Sequence, residues 1–129
     1  MNHIKHRSNE SVEDYLETIL QLQKKLGQVR SIDIANEMNF SKQSVSIAMK
    51  NLSEKEYINL DANCHIILTE SGRKQAEDVL EKHTILTGWL ISLGVDAEIA
   101  REDACRMEHD ISEESFAAIK NHICNLKAD

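Results

Sequence analysis

Three residues in the last quarter of the chain, Cys105, Glu108 and His109, form a C-x-x-E-H cluster. In a helix, positions i, i+3 and i+4 share one face, so a thiol, a carboxylate and an imidazole would converge on one point. These are three of the donor groups that transition-metal ions take from proteins. The spacing therefore predicts a metal site on a helix covering about residues 96–109.

Further candidate ligands lie earlier in the chain. Asp14 and Glu17 are spaced i, i+3 on a helix predicted from about 9 to 26, and His83 lies on a long helix predicted over about 70–92. With the cluster they supply three carboxylates, two imidazoles and one thiol, a set that suits Mn²⁺, Fe²⁺, Co²⁺ or Zn²⁺. A structural zinc site would be richer in sulfur. Each residue also has an ordinary explanation. Acidic residues in the first turns of a helix interact favourably with the helix dipole, and a lone histidine on an apolar helix is often a hydrogen-bonded core residue.

The segment between these ligands has the pattern of a helix-turn-helix. Ser31 is predicted to cap a second helix and Ser41 a third, with Asn39-Phe40 as the turn. On the third helix, Val45, Ala48, Met49 and Leu52 fall on the inner face. Lysine and glutamine can contact DNA, serine can bond phosphate or base, and isoleucine can touch a thymine methyl. The predicted DNA-contacting residues are therefore Ser41, Lys42, Gln43, Ser44, Ser46, Ile47 and Lys50. Their alternative is a solvated helix face.

Residues 56–69 change to a strand pattern with Asp61-Ala62-Asn63 as a turn, which predicts a short β-hairpin, the wing. Cys64 and His65 adjoin in its second strand, where neighbouring side chains point to opposite faces, so both are predicted to be structural. Beyond the long helix and the cluster helix, Ser112 is predicted to cap a last helix. The fold class is mainly α: a winged helix-turn-helix DNA-binding domain (1–70) joined by a long helix to an all-helical dimerisation domain (71–129).

Composition is consistent with this fold. The chain has no proline and four glycines, which favours helices over tight turns. Its net charge is −7, but residues 1–75 hold 10 basic and 10 acidic residues while residues 76–129 hold 5 and 12, so the excess acid lies outside the DNA-reading half. Three cysteines without a CxxC pair indicate reduced thiols of the cytoplasm. Neither a signal peptide nor a membrane helix is expected.

The chain resembles the diphtheria-toxin-repressor and manganese-transport-regulator family of metal-dependent repressors. The matching stretches are 11–19 (SVEDYLETI), 68–73 (LTESGR), His83 in its helix, and 103–109 (DACRMEH). The resemblance implies a homodimer on a palindromic operator of double-stranded DNA, in a short form without the SH3-like domain of longer relatives. Manganese-type members are similar at Asp14 and Glu17, and iron-type members at Cys105. Thr87 and Arg101 stand where iron-type members place ancillary ligands, which argues against an ancillary site.

These observations predict a cytoplasmic, metal-activated repressor of metal-uptake genes that is not an enzyme and does not bind membranes. Its effector is Fe²⁺ or Mn²⁺, with Co²⁺ or Zn²⁺ able to substitute in vitro, and the soft thiolate slightly favours Fe²⁺. The predicted ligands are Asp14, Glu17, His83, Cys105, Glu108 and His109. The alternatives are a winged-helix regulator that does not respond to metal and a small metal-dependent hydrolase. Against the hydrolase, no nucleophile motif or phosphate loop accompanies the candidate ligands in the sequence.

Overall fold

A computed structural model describes the backbone of residues 3–128 and the side chains of residues 11–126. The elements in chain order are α1 (His3–Leu26), α2 (Ser31–Met38), α3 (Lys42–Glu54), β1 (Ile58–Leu60), β2 (Ile66–Leu68), α4 (Glu70–Ser92), α5 (Ala97–Asp110) and α6 (Glu113–Ala128). The described chain forms two compact units, unit 1 over His3–Asp78 and unit 2 from Val79 onward. The predicted mainly α fold with a winged helix-turn-helix is confirmed.

Unit 1 is built around the helix-turn-helix. Helix α2 packs against both α1 and α3. In the antiparallel hairpin, Asn59 of β1 pairs with Ile67 of β2, and β1 packs against α3 while β2 packs against α1. The N–H of Ile66 donates to the carbonyl of Val29 at 2.7 Å and so ties the hairpin to the loop before α2. The unit's fully buried apolar side chains include Leu16, Ile19, Leu20, Val29, Ile34, Val45, Ile58 and Ile66.

Three details of unit 1 differ from the predictions. Helix α1 begins at His3 rather than about residue 9, because no glycine or proline interrupts the preceding residues. Ser31 is the first residue of α2 rather than its cap, since the N–H of Arg30 donates to the Asp33 carboxylate at 2.9 Å and closes that helix end. Neither Cys64, which has a φ of 64°, nor His65 lies in the second strand as predicted, because that strand begins at Ile66 and both residues belong to the wing turn.

The wing turn is held by Asp61. Its carboxylate accepts the N–H of Asn63 at 2.8 Å and the N–H of His65 at 2.9 Å, and it pairs with the His65 ring at 3.0 Å. The hydrogen bond from the His65 backbone is the main cause that lowers the pKa of Asp61 below its ordinary value. His65 thus has the structural role that the sequence predicted for it.

Unit 2 is a helical cluster. Leu86 of α4, Ala104 of α5 and Phe116 of α6 form its buried core, with Trp89 and Met107 packed against them. The Ser112 hydroxyl accepts the N–H of Ser115 at 3.0 Å, as the predicted cap of α6 requires. Within residues 3–128, each helix falls short of the length and apolar content that crossing a bilayer would demand.

Candidate metal centre and DNA-reading surface

The C-x-x-E-H cluster lies on the last two turns of α5. The Asp96 carboxylate caps this helix by accepting the N–H of Glu98 at 3.1 Å, so the helix register is set before the cluster begins. One ligand atom each of Cys105, Glu108 and His109 lies within 4.8 Å of the others. The predicted convergence of thiol, carboxylate and imidazole on one helix face is therefore present in unit 2.

Glu108 lies at the centre of this group and is only 1% exposed. Its Oε2 atom is 3.1 Å from Nδ1 of His83 on α4, and its Oε1 atom is 3.5 Å from Nε2 of His109. Within the part of the chain that the structure describes, Oε1 has no hydrogen-bond partner. A carboxylate that is removed from water needs a compensating charge.

This donor set fits a transition-metal ion. Carboxylate, imidazole and thiol are all accepted by borderline divalent ions, and the buried Glu108 Oε1 has an unused lone pair. Cys105 is an exposed free thiol, so it is open to solvent on one side. In unit 2 the structure thus brings together the four predicted ligands His83, Cys105, Glu108 and His109.

Asp14 and Glu17 belong to unit 1, where they lie one turn apart on α1. Asp14 is half-buried, and Glu17 is buried with 9% exposure. Glu17 follows the core residue Leu16, and its burial argues against a merely solvated helix face. Charged side chains are rarely buried without a partner or a role. The joint set of six ligands stays a prediction.

All seven predicted DNA-contacting side chains are exposed on or next to α3, while Val45, Met49 and Leu52 are buried on its other face. The Ser41 hydroxyl accepts the N–H of Ser44 at 3.1 Å and donates to the Ser44 hydroxyl at 2.9 Å. These two serines thus form the helix cap. The exposed set is Ser41, Lys42, Gln43, Ser44, Ser46, Ile47 and Lys50, and their contact with DNA stays a prediction.

Sequence reasoning missed an ion pair made by Lys82, the residue that precedes His83 on α4. Lys82 is buried with 8% exposure, and its Nζ lies 2.7 Å from Glu113 Oε1 and 6.0 Å from the centre of the Phe116 ring. A second pair, Lys120 and Glu81 at 3.0 Å, also joins α6 to α4. No local spacing signals such pairs, because their members are 31 and 39 residues apart. They fix the helix that carries His83.

Fold and site together define the class: a winged-helix DNA-binding protein with a carboxylate–imidazole–thiol cluster in a separate helical unit. The family model described as "Iron dependent repressor, N-terminal DNA binding domain" matches residues 9–66. The one described as "Iron dependent repressor, metal binding and dimerisation domain" matches residues 69–129. The transcriptional regulator MntR of Escherichia coli O157:H7 is 36% identical over 115 residues, which cover 89% of this chain and 74% of that protein.

Two solved structures show the same fold. The manganese regulator SloR has a TM-score of 0.77 at 26% identity and is matched over 87% of this chain and 53% of its own. IdeR of T. acidophilum has a TM-score of 0.74 at 28% identity, matched over 86% of this chain and 53% of its own. This chain therefore spans about half the length of these solved chains.

The chain belongs to the iron-dependent repressor family. Its class is that of metal-dependent transcriptional repressors, which confirms the family, fold and general function predicted from the sequence. The descriptions of the two family models, DNA binding for the first part of the chain and metal binding with dimerisation for the second, agree with the predicted character of the two domains.

Proposed function

We propose that this protein represses metal-uptake genes in the cytoplasm and is activated by Fe²⁺ or Mn²⁺. It acts as a homodimer on a palindromic operator, and it is a regulator rather than an enzyme. Two recognition helices of such a dimer must be spaced by one turn of DNA, about 34 Å. The observation that carries this proposal is the buried Glu108 carboxylate between the imidazoles of His83 and His109, in a chain whose other unit is a winged helix-turn-helix.

The proposed ligands divide between the two units. Asp14 and Glu17 lie on α1 of the DNA-reading unit, and the other four lie in unit 2. Gathered carboxylates repel one another, and a bound divalent cation would supply the positive charge that offsets them. Because ligands from both units take part, binding of the metal is coupled to the conformational state of the DNA-reading unit. The free energy by which the metal favours DNA binding equals the difference in its binding free energy between the DNA-competent state and the other states. The full set is Asp14, Glu17, His83, Cys105, Glu108 and His109.

The proposed DNA contacts come from α3 rather than from the wing. Residues 58–68 contain no lysine or arginine, and Asp61 places a negative charge at the wing turn. Phosphate contacts therefore fall to Lys42 and Lys50, which flank the exposed face of α3. The contact set is Ser41, Lys42, Gln43, Ser44, Ser46, Ile47 and Lys50.

DNA binding with and without metal tests the function. The full chain is incubated with random double-stranded DNA under anaerobic conditions, once with Fe²⁺ or Mn²⁺ and once with a chelator. We expect one palindromic sequence to be enriched only with metal, and its affinity to fall by about 5- to 150-fold on chelation, the usual range of allosteric coupling. Equal affinity in both conditions contradicts the proposal and favours a regulator that does not respond to metal.

Two cysteines in unit 2 provide a matched test of the ligand set. Cys105 and Cys124 are both exposed free thiols, but only Cys105 lies in the cluster. Cys105→Ala should weaken the metal-dependent DNA binding at least tenfold. Mutating a residue that only hydrogen-bonds to a metal ligand lowers metal affinity by about 10- to 100-fold, and removing a ligand itself should cost at least as much. Cys124→Ala should bind DNA as the wild type does. Identical metal titrations of operator binding for the two variants would remove Cys105 from the site.

Asp14→Ala tests the proposed share of α1 in the same assay. Unit 2 keeps its four ligands in this variant, so metal should still bind, while the metal-dependent gain in DNA affinity should fall at least fivefold. Metal binding is followed by equilibrium dialysis and DNA binding by fluorescence anisotropy. A variant that keeps both properties shows that Asp14 has no part in the switch.

A further inference from the structure

One apolar side chain lies within the polar, exposed face of the recognition helix. Ile47 is 64% exposed, and Lys42, Gln43 and Ser46 line a shallow open depression with it. Single exposed apolar side chains are common on protein surfaces, so exposure alone carries no meaning. The position of Ile47 is informative, because Ile47 lies in the part of α3 that a helix-turn-helix protein inserts into the major groove.

The register of α3 directs Ile47 outward. Val45, Met49 and Leu52 are buried and fix the inner face, and the Ser41 cap fixes where the helix begins. Gln43 and Ile47 are spaced i, i+4, so they share the outer face one turn apart. Both side chains can therefore reach neighbouring base pairs in one groove.

Isoleucine has no hydrogen-bond donor or acceptor in its side chain. The one apolar group that base pairs present in the major groove is the C5-methyl of thymine. A glutamine side chain one turn earlier matches the N6 and N7 edge of adenine. We propose that Ile47 selects a thymine methyl, so that each operator half-site has an A·T pair beneath the centre of α3. This inference rests on the proposed function.

The expected discrimination follows from the size of one methyl group. Burial of one methyl group changes an affinity by about fourfold. A two-fold symmetric dimer makes the contact twice, so replacing thymine by deoxyuridine at both positions should weaken operator binding by about 15-fold.

The experiment uses the metal-loaded full chain and the operator selected above. Each thymine of the half-site is replaced in turn by deoxyuridine, which removes only the C5-methyl, and affinities are measured by anisotropy. We expect one position per half-site to show the loss in the wild type. In Ile47→Ala, thymine and deoxyuridine operators should bind equally at that position.

Ile32→Ala is the control, because Ile32 is also exposed in unit 1 but lies on α2 outside the proposed contact set. It should keep the wild-type ratio of thymine to deoxyuridine affinity. Equal wild-type affinity for both bases at every position, or an unchanged ratio in Ile47→Ala, overturns the inference while metal-dependent repression stands. A chain that selects no DNA with metal overturns the proposed function and this inference with it.

Discussion

Glu108→Gln is expected to abolish the metal response while leaving the metal-free protein folded. The substitution keeps the size and shape of a side chain that is 1% exposed but removes its negative charge. A neutral amide oxygen is a far poorer ligand for a divalent ion than a carboxylate, and the amide still hydrogen-bonds to an imidazole such as that of His83. Metal binding therefore loses its central ligand, whereas packing in unit 2 is kept.

Thermal unfolding measures both parts of this prediction. A ligand at 100 times its dissociation constant stabilises the native state by about 2.7 kcal/mol. For a chain of 129 residues this corresponds to a rise in melting temperature of about 10 °C. The wild type should show this rise with Mn²⁺ or Fe²⁺, and Glu108→Gln should show less than about 2 °C.

Glu102→Gln is the matched control, since Glu102 lies on the same helix but is exposed and outside the cluster. It should keep the full metal-dependent rise. Glu108→Leu adds a second measurement, because it takes the carboxylate away from the imidazoles of His83 and His109, and removing one partner of a buried pair is strongly destabilising. We expect the metal-free Leu variant to melt clearly below both the wild type and Glu108→Gln. A wild-type metal response in Glu108→Gln would refute the assignment of Glu108 as a ligand.

The parts of this fold that the sequence predicts correctly are those specified by local interactions. Ser41 and Ser112 cap α3 and α6 because a hydroxyl at that position reaches a backbone N–H two or three residues on. Where two local signals compete, prediction fails. The stretch beginning at Ser11 has the pattern of a helix start, yet the backbone before it is also helical. At the start of α2 the predicted Ser31 cap is replaced by the Asp33 carboxylate, which accepts the N–H of Arg30.

The candidate site divides in the same way. The convergence of Cys105, Glu108 and His109 follows from helical spacing alone, so the sequence predicts it. The approach of His83 to Glu108 joins residues 25 positions apart, and only the packing of α4 against α5 brings it about. Residue type makes His83 a candidate ligand, and the resemblance to known repressors supports it. Neither spacing nor resemblance indicated that Lys82 is buried beside it.

Gly72 illustrates a sequence motif whose reason becomes visible only in the structure. It lies in the first turn of α4, where an added Cβ would collide with the backbone carbonyl of Tyr57. Thr69 holds the two segments together: its N–H donates to the Tyr57 carbonyl at 3.0 Å, and its hydroxyl donates to the Glu56 carbonyl at 2.7 Å and accepts the N–H of Gly72 at 3.1 Å. The close approach of α4 to the start of the wing therefore requires glycine.

Gly72→Ala should destabilise unit 1 by about 2 kcal/mol, because the clash is with backbone atoms that cannot swing aside and outweighs the better helix propensity of alanine. Gly88→Ala is the control in the same helix: its added Cβ meets nothing within 4 Å, so it should stabilise the protein by about 0.5–1 kcal/mol. Urea unfolding measures both variants: tyrosine absorbance reports unit 1, where Tyr15 and Tyr57 lie, and far-UV circular dichroism reports all helices, including the part of α4 around Gly88 in unit 2. The two alanine variants should shift the urea midpoint in opposite directions. A Gly72→Ala protein as stable as the wild type would show that the contact between α4 and Tyr57 is not tight, and that the glycine serves another purpose.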